Sequence, residues 1–286
     1  MDEIPPPRWT FLRGKWQIAT YAVFGLAVFV VFMAASFPYS DALSSLLAPY
    51  QMKLVYESQH MSAPIGARLE DVRILSTVGP QPQLILKSPG VTLAPALGML
   101  LFGRPAFSVY AELYGGTIST TIYKRAGVTD LSFVLKAISL SESAPLRQYG
   151  AKLNGNLSGV GSAELTSPLL SDNKGRLALD GRDVVVEIAD GAPPIRLGAV
   201  SGSLSLEGGV VTMHDVEAHG GDIEVKAEGT IHLDPDIAES EVEMQLSLAP
   251  TPAGRAHFGI FLNLLPHPPE EGPYQVSGPL MSPSIT

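Results

Sequence analysis

The chain has no cysteine. Disulfides, thiolate catalysis and Cys-ligated zinc or iron–sulfur centres are thereby excluded, and the redox compartment cannot be read from thiols. Charge is also scarce. Only 16% of the 286 residues are charged, and 19 basic against 28 acidic side chains give a formal net charge of −9. Gripping a phosphate backbone needs a basic stripe, so nucleic acid is not an expected partner. The sequence contains no G-x-S-x-G elbow, no Walker A loop, no H-E-x-x-H and no complete dinucleotide fingerprint. The expectation is a protein that is not an enzyme, with no catalytic residues, no cofactor-binding residues and no metal site.

What is present is apolar material and turn formers. Hydrophobic residues make up 45%, with 28 Gly and 24 Pro. That composition supplies a core and demands many turns, which favours strands over helices.

The longest uncharged stretch runs from Trp16 to Ser40, between Lys15 and Asp41. A helix needs about 20 apolar residues to cross the hydrocarbon core, so Trp16–Phe37 is expected to span a membrane. Trp9, Trp16 and Tyr39 bracket the run at headgroup level, and Pro38 ends it. Arg8, Arg13 and Lys15 precede the span, whereas the next basic residue is Lys53. The positive-inside rule then puts residues 1–15 in the cytoplasm and residues 38–286 outside it. Ala34, Ala35 and Ser36 resemble a signal-peptidase site, but the run exceeds the usual h-region of about 7–15 residues, so a retained anchor is expected. Beyond residue 40 there remain 16 basic and 26 acidic residues, a net of −10, so attraction to anionic lipid headgroups adds nothing to the anchor.

Three short helices are expected. The first lies near 41–50, with Leu43, Leu46, Leu47 and Tyr50 on one face and Ser40 or Asp41 as N-cap. The second spans 95–102, with Pro95 at N1 and Gly103 at C′. The third spans 252–265 after Thr251, with Pro252 at N1. The remainder reads as strand. In Asp222–Leu233 the residues Ile223, Val225, Ala227, Ile231 and Leu233 alternate with charged or polar ones, and Val242, Met244, Leu246 and Leu248 repeat the pattern. Val200, Leu204 and Leu206 alternate with serines, and Leu177, Leu179, Val184, Val186 and Ile188 add further β-prone runs. Gly208-Gly209 and Gly220-Gly221 read as turns. Six or seven consecutive strands from Gly150, without a crossover helix before Thr251, predict a mainly β fold. Its sheet is elongated, curved and largely antiparallel. The pattern E-x-x-G-G-x-I occurs twice, at Glu112–Ile118 and Glu217–Ile223, as if one hairpin unit were repeated.

Several residues tempt a chemical reading. Gly159-Val160-Gly161 begins a G-x-G, yet Glu164 stands where a third glycine belongs, so a flexible inter-strand segment is expected. His214, Asp215, His219 and His232 are scattered over several strands or turns. Asp222, Glu224 and Glu228 fall on the wet positions of a strand, and with Glu217 they are read as a charged exterior. The apolar stripes are expected to form a closed core, with an open groove for acyl chains as the alternative.

Phe37-Pro38-Tyr39, Leu101-Phe102-Gly103-Arg104-Pro105, Glu112-Leu113-Tyr114-Gly115-Gly116, Gly272-Pro273-Tyr274, Gly278-Pro279-Leu280 and Ser282-Pro283 together resemble the type II secretion system protein N (GspN) family over residues 35–286. The last third is also similar to AsmA-type envelope proteins. The GspN resemblance implies a single-pass protein of the bacterial inner membrane with a periplasmic β-rich domain. It would be a non-enzymatic accessory or structural component of type II secretion, contacting other secretion-system proteins. The AsmA-type similarity implies instead lipid handling or outer-membrane biogenesis, with lipid as a possible ligand. Neither supplies residues for partner binding.

Overall fold

The structure is a computed structural model that describes residues 24–25, 38–62, 65–77, 82–96, 106–125, 127–143, 152–166, 170–187, 193–234, 239–262, 265–280 and 282–286. Of the expected span Trp16–Phe37 these include only Phe24 and Gly25, so that expectation lies outside the described residues. Among the described residues no helix is long and apolar enough to cross a membrane.

Among them, fifteen strands form one antiparallel sheet. In chain order they are β1 (Met52–Val55), β2 (Ser58–Met61), β3 (Ala67–Ser76), β4 (Gln83–Pro95), β5 (Ala106–Leu113), β6 (Gly116–Arg125), β7 (Val128–Ser139), β8 (Lys152–Leu165), β9 (Lys174–Glu187), β10 (Ile195–Glu207), β11 (Val210–Gly220), β12 (Ile223–His232), β13 (Glu241–Pro250), β14 (Tyr274–Pro279) and β15 (Ser284–Ile285). From β3 to β15 each strand pairs with its successor, while β1 and β2 share the outer edge of β3. The mainly β, antiparallel expectation is met. Tight turns make this meander possible. Tyr114-Gly115 and Gly208-Gly209 both have two consecutive positive φ values, as a two-residue type I′ hairpin loop requires.

Helix α1 (Tyr39–Leu47) precedes β1, and α2 (Pro252–Leu262) lies between β13 and β14. Two helical expectations are therefore met, with a difference at the start of α1 and at the end of α2, which stops at Leu262 and leaves Leu265 outside the helix. The residue before α1 is Pro38 and makes no side-chain capping bond, so neither Ser40 nor Asp41 caps it. Thr251 does cap α2, its hydroxyl accepting from the Gly254 amide at 3.2 Å. The expected helix at 95–102 is corrected at its first residue. Pro95 ends β4 opposite Phe107, and the Ala96 amide donates to the Ala106 carbonyl, while 97–102 lie outside the described residues. At that strand end proline's fixed φ is tolerated as well as at a helix N1.

Each strand from β7 to β11 carries a positive-φ residue within its length, in order Ala137, Gly155, Asp183, Gly198 and Asp215. The strand pairings shift register around these positions. Such bulges add right-handed twist to the strands that hold them.

Candidate functional site

Cross-strand pairing puts facing residues on the same side of the sheet. One row, Phe133, Gly161, Leu177, Leu204, Met213, Gly229, Met244 and Val276, crosses β7 to β14. The row beside it, on the opposite side, reads Ser132, Ser162, Arg176, Ser205, Thr212, Thr230, Glu243 and Ser277. From β7 to β14 these rows give the sheet one apolar and one polar face.

The apolar face is covered at its two sides. On the N-terminal side Tyr39 and Leu43 of α1 pack on Ala67, Leu69, Val72, Val91, Leu93 and Ala111, with Leu69 and Val72 wholly buried. On the C-terminal side Tyr274 is wholly buried, stacks on His267 at 4.4 Å and donates its hydroxyl to the His267 carbonyl at 2.7 Å. Between them, across β6–β11, Ile122, Leu131, Phe133, Leu177, Leu204 and Met213 are only half-buried. No helix among the described residues packs there. Ile223 and Val242 are buried, as are Ile138, Val184 and Ala218 within the middle strands, whereas Val225, Ile231, Met244 and Leu246 are half-buried, so the expected closed core is met only in part.

Six strands at about 4.8 Å spacing and ten residues at about 3.3 Å rise give this open trough roughly 1,000 Å² of sheet. Within the trough Gly161 lets Phe133 lie flat, since a Cβ at 161 would stand 2.4 Å from the ring's Cζ. Gly159 does the same for Leu179 and Leu177, at 3.1 and 3.4 Å. The Gly159-Val160-Gly161 segment is therefore not an inter-strand linker. It lies inside β8, with the two glycines on the apolar face and Val160, 56% exposed, on the polar one.

On the polar face a shallow cavity of about 650 Å³ is lined by Val160, Ser162, Arg176, Ser203, Ser205 and His214, among others. His214 Nε2 lies 3.1 Å from Ser205 Oγ. Lys174 and Glu207 pair beside it at 2.7 Å, the hydrogen bond raising the ammonium pKa and lowering the carboxylate's. Ser205 and His214 thus bring a hydroxyl and an imidazole together, and Arg176 and Lys174 face the single carboxylate of Glu207.

The other tempting residues are dispersed. His219 and Lys226 both meet Glu217, at 2.9 and 2.7 Å, and hold its carboxylate below the usual range, Lys226 more strongly. His232 faces Glu241 across β12–β13. Glu224 and Glu228 are exposed as expected. Asp222 departs from the expected wet strand position, because it sits in the β11–β12 turn. Its carboxylate accepts from the Arg196 amide at 3.1 Å, and its carbonyl accepts from the Thr251 amide and hydroxyl at 3.0 and 2.9 Å. Among the described residues no group of three metal-ligating side chains converges.

No family model, curated protein or solved structure matches the chain. The GspN and AsmA-type resemblance rests on the quoted residues alone.

Proposed function

We propose that this chain is a single-pass protein of the bacterial inner membrane whose periplasmic sheet shields the acyl chains of lipids on its open apolar face. The observation that carries the reading is the half-buried trough across β6–β11. Its chemistry selects the occupant. A protein interface forms about one hydrogen bond per 100–200 Å², so about 1,000 Å² would call for roughly 5–10 polar partners. The trough's inward positions are Leu, Ile, Val, Phe, Met, Ala and Gly apart from Thr120 and the pair Lys124 and Thr129 at the end of β6 and the start of β7. Hydrocarbon needs no such partners. Of the two roles that the resemblance implies, lipid handling is the one this face supports, and the role is binding rather than catalysis.

The test compares two carboxylate substitutions in the full chain. Leu204→Asp places a charge where water can reach it, so the protein keeps its fold and loses copurifying phospholipid, read by mass spectrometry of extracts. Val72→Asp buries an unpaired charge in the covered flank and unfolds the domain. A parent protein without lipid, together with a Leu204→Asp variant that unfolds, would return the assignment to type II secretion through protein contacts. Deletion would then trap folded exoproteins in the periplasm.

A further inference from the structure

The apolar face does not end where α1 covers it. Leu69 pairs with Val91, Val91 with Ala111, Ala111 with Ile118, Ile118 with Leu135, and Leu135 with Gly159. One unbroken row thus runs from beneath α1 into the open trough. Among the described residues α1 is the element that separates the covered part from the open part.

The two ends of α1 are held differently. At its C-terminal side Gln51 takes a left-handed conformation, φ 54°, and its carbonyl accepts from both the amide and the hydroxyl of Thr77, each at 2.8 Å. At its N-terminal side Pro38 makes no side-chain cap bond, and Tyr39, 3% exposed, is the buried contact. The sheet therefore fixes the far end of the helix. The near end, which the expected membrane span precedes, is held instead by the burial of Tyr39 and Ser40.

We propose that α1 is a displaceable stopper: hinged at Gln51, it leaves β3–β5 when acyl chains take the places of Tyr39 and Leu43, joining the covered rows to the open trough. This rests on the lipid-handling reading above. Undocking into water would expose apolar surface on both partners, whereas exchange for hydrocarbon keeps the sheet covered. That difference is the differential affinity that lets a ligand shift such an equilibrium.

Because the chain lacks cysteine, Asp41→Cys on α1 and Ser119→Cys on the polar face of β6 introduce the only two thiols, both at exposed positions. Pulsed EPR on the spin-labelled full chain measures their separation in lipid-depleted amphipol and in nanodiscs of phosphatidylethanolamine and phosphatidylglycerol. Lipid extracted from the same samples is quantified. The expected result is one distance without lipid and a second, longer population in nanodiscs. Tyr39→Ala, which deletes a buried aromatic anchor, shifts the docked-to-undocked ratio by at least ~10-fold without lipid. Bound lipid with an unchanged distance overturns the stopper and leaves the lipid reading standing, even if Tyr39→Ala loosens the helix. Absence of bound lipid overturns both. The nanodisc comparison needs no substitution in the α1 anchor, so it decides the matter even if Tyr39→Ala does not fold.

Discussion

Phe133 on β7 lies over Gly161 on β8, so closely that a methyl group at 161 would meet the ring at 2.4 Å and the Arg176 carbonyl at 2.7 Å. The pair shows how a single sheet covers some of its own apolar surface where no second layer does so. Gly161→Ala should cost about 1–3 kcal/mol, the usual range for overpacking. In the double variant with Phe133→Ala part of that cost should vanish, because the ring clash is gone while the carbonyl contact remains. Urea unfolding of the four members of the cycle measures the coupling.

The two copies of E-x-x-G-G-x-I share a steric requirement at their second glycine. A Cβ on Gly116 would stand 2.3 Å from the Lys136 carbonyl oxygen, and one on Gly221 would stand 2.1 Å from that of Arg196. Gly208 has φ 63° with open space around it. Gly116→Ala and Gly221→Ala should therefore destabilise by more than Gly208→Ala, which pays only the left-handed backbone cost of about 1–2 kcal/mol. Thermal melts of the three variants rank them.

Burial, with smaller contributions from Glu270 and Glu271, pushes the Tyr274 phenol above its ordinary pKa. A folded-state value above the unfolded one gives stability that is present below about pH 10 and lost as pH rises through the folded value. Tyr274→Phe should flatten the alkaline limb of a melting-temperature profile. It should also cost about 0.5–1.5 kcal/mol at neutral pH through the lost bond to the His267 carbonyl. Tyr39 and Tyr50, also raised by burial, keep part of the alkaline slope.

The positive-inside rule applied to Arg8, Arg13 and Lys15 predicts that residues beyond the expected span lie outside the cytoplasm. Reporters active only in the periplasm, fused after Tyr50 and after Thr286, should both be active. Inactivity at both sites would reverse the orientation.

Alternation made β12 and β13 legible, because every inward position there except Gly229 is apolar and every outward one except Ala249 is charged or polar. It failed in β8, where Gly159 and Gly161 occupy inward positions and the apolar Val160 points outward, reversing the pattern that marks a strand. Pro95 misled for a related reason, since one fixed φ serves both a helix start and a strand end. Whether an apolar stripe is closed or open is not local information at all. Leu93 and Leu204 read alike along the chain, and only the position of α1 makes one buried and leaves the other half-buried.

Leu204 and Ser203 are adjacent in β10 and face opposite sides of the sheet. Benzophenone amino acids placed at each position in the full chain, irradiated in living cells and analysed by mass spectrometry, therefore probe the central claim most directly. The account predicts phospholipid adducts at 204 and none at 203. Protein adducts without lipid at 204, or lipid captured equally at both positions, would contradict it.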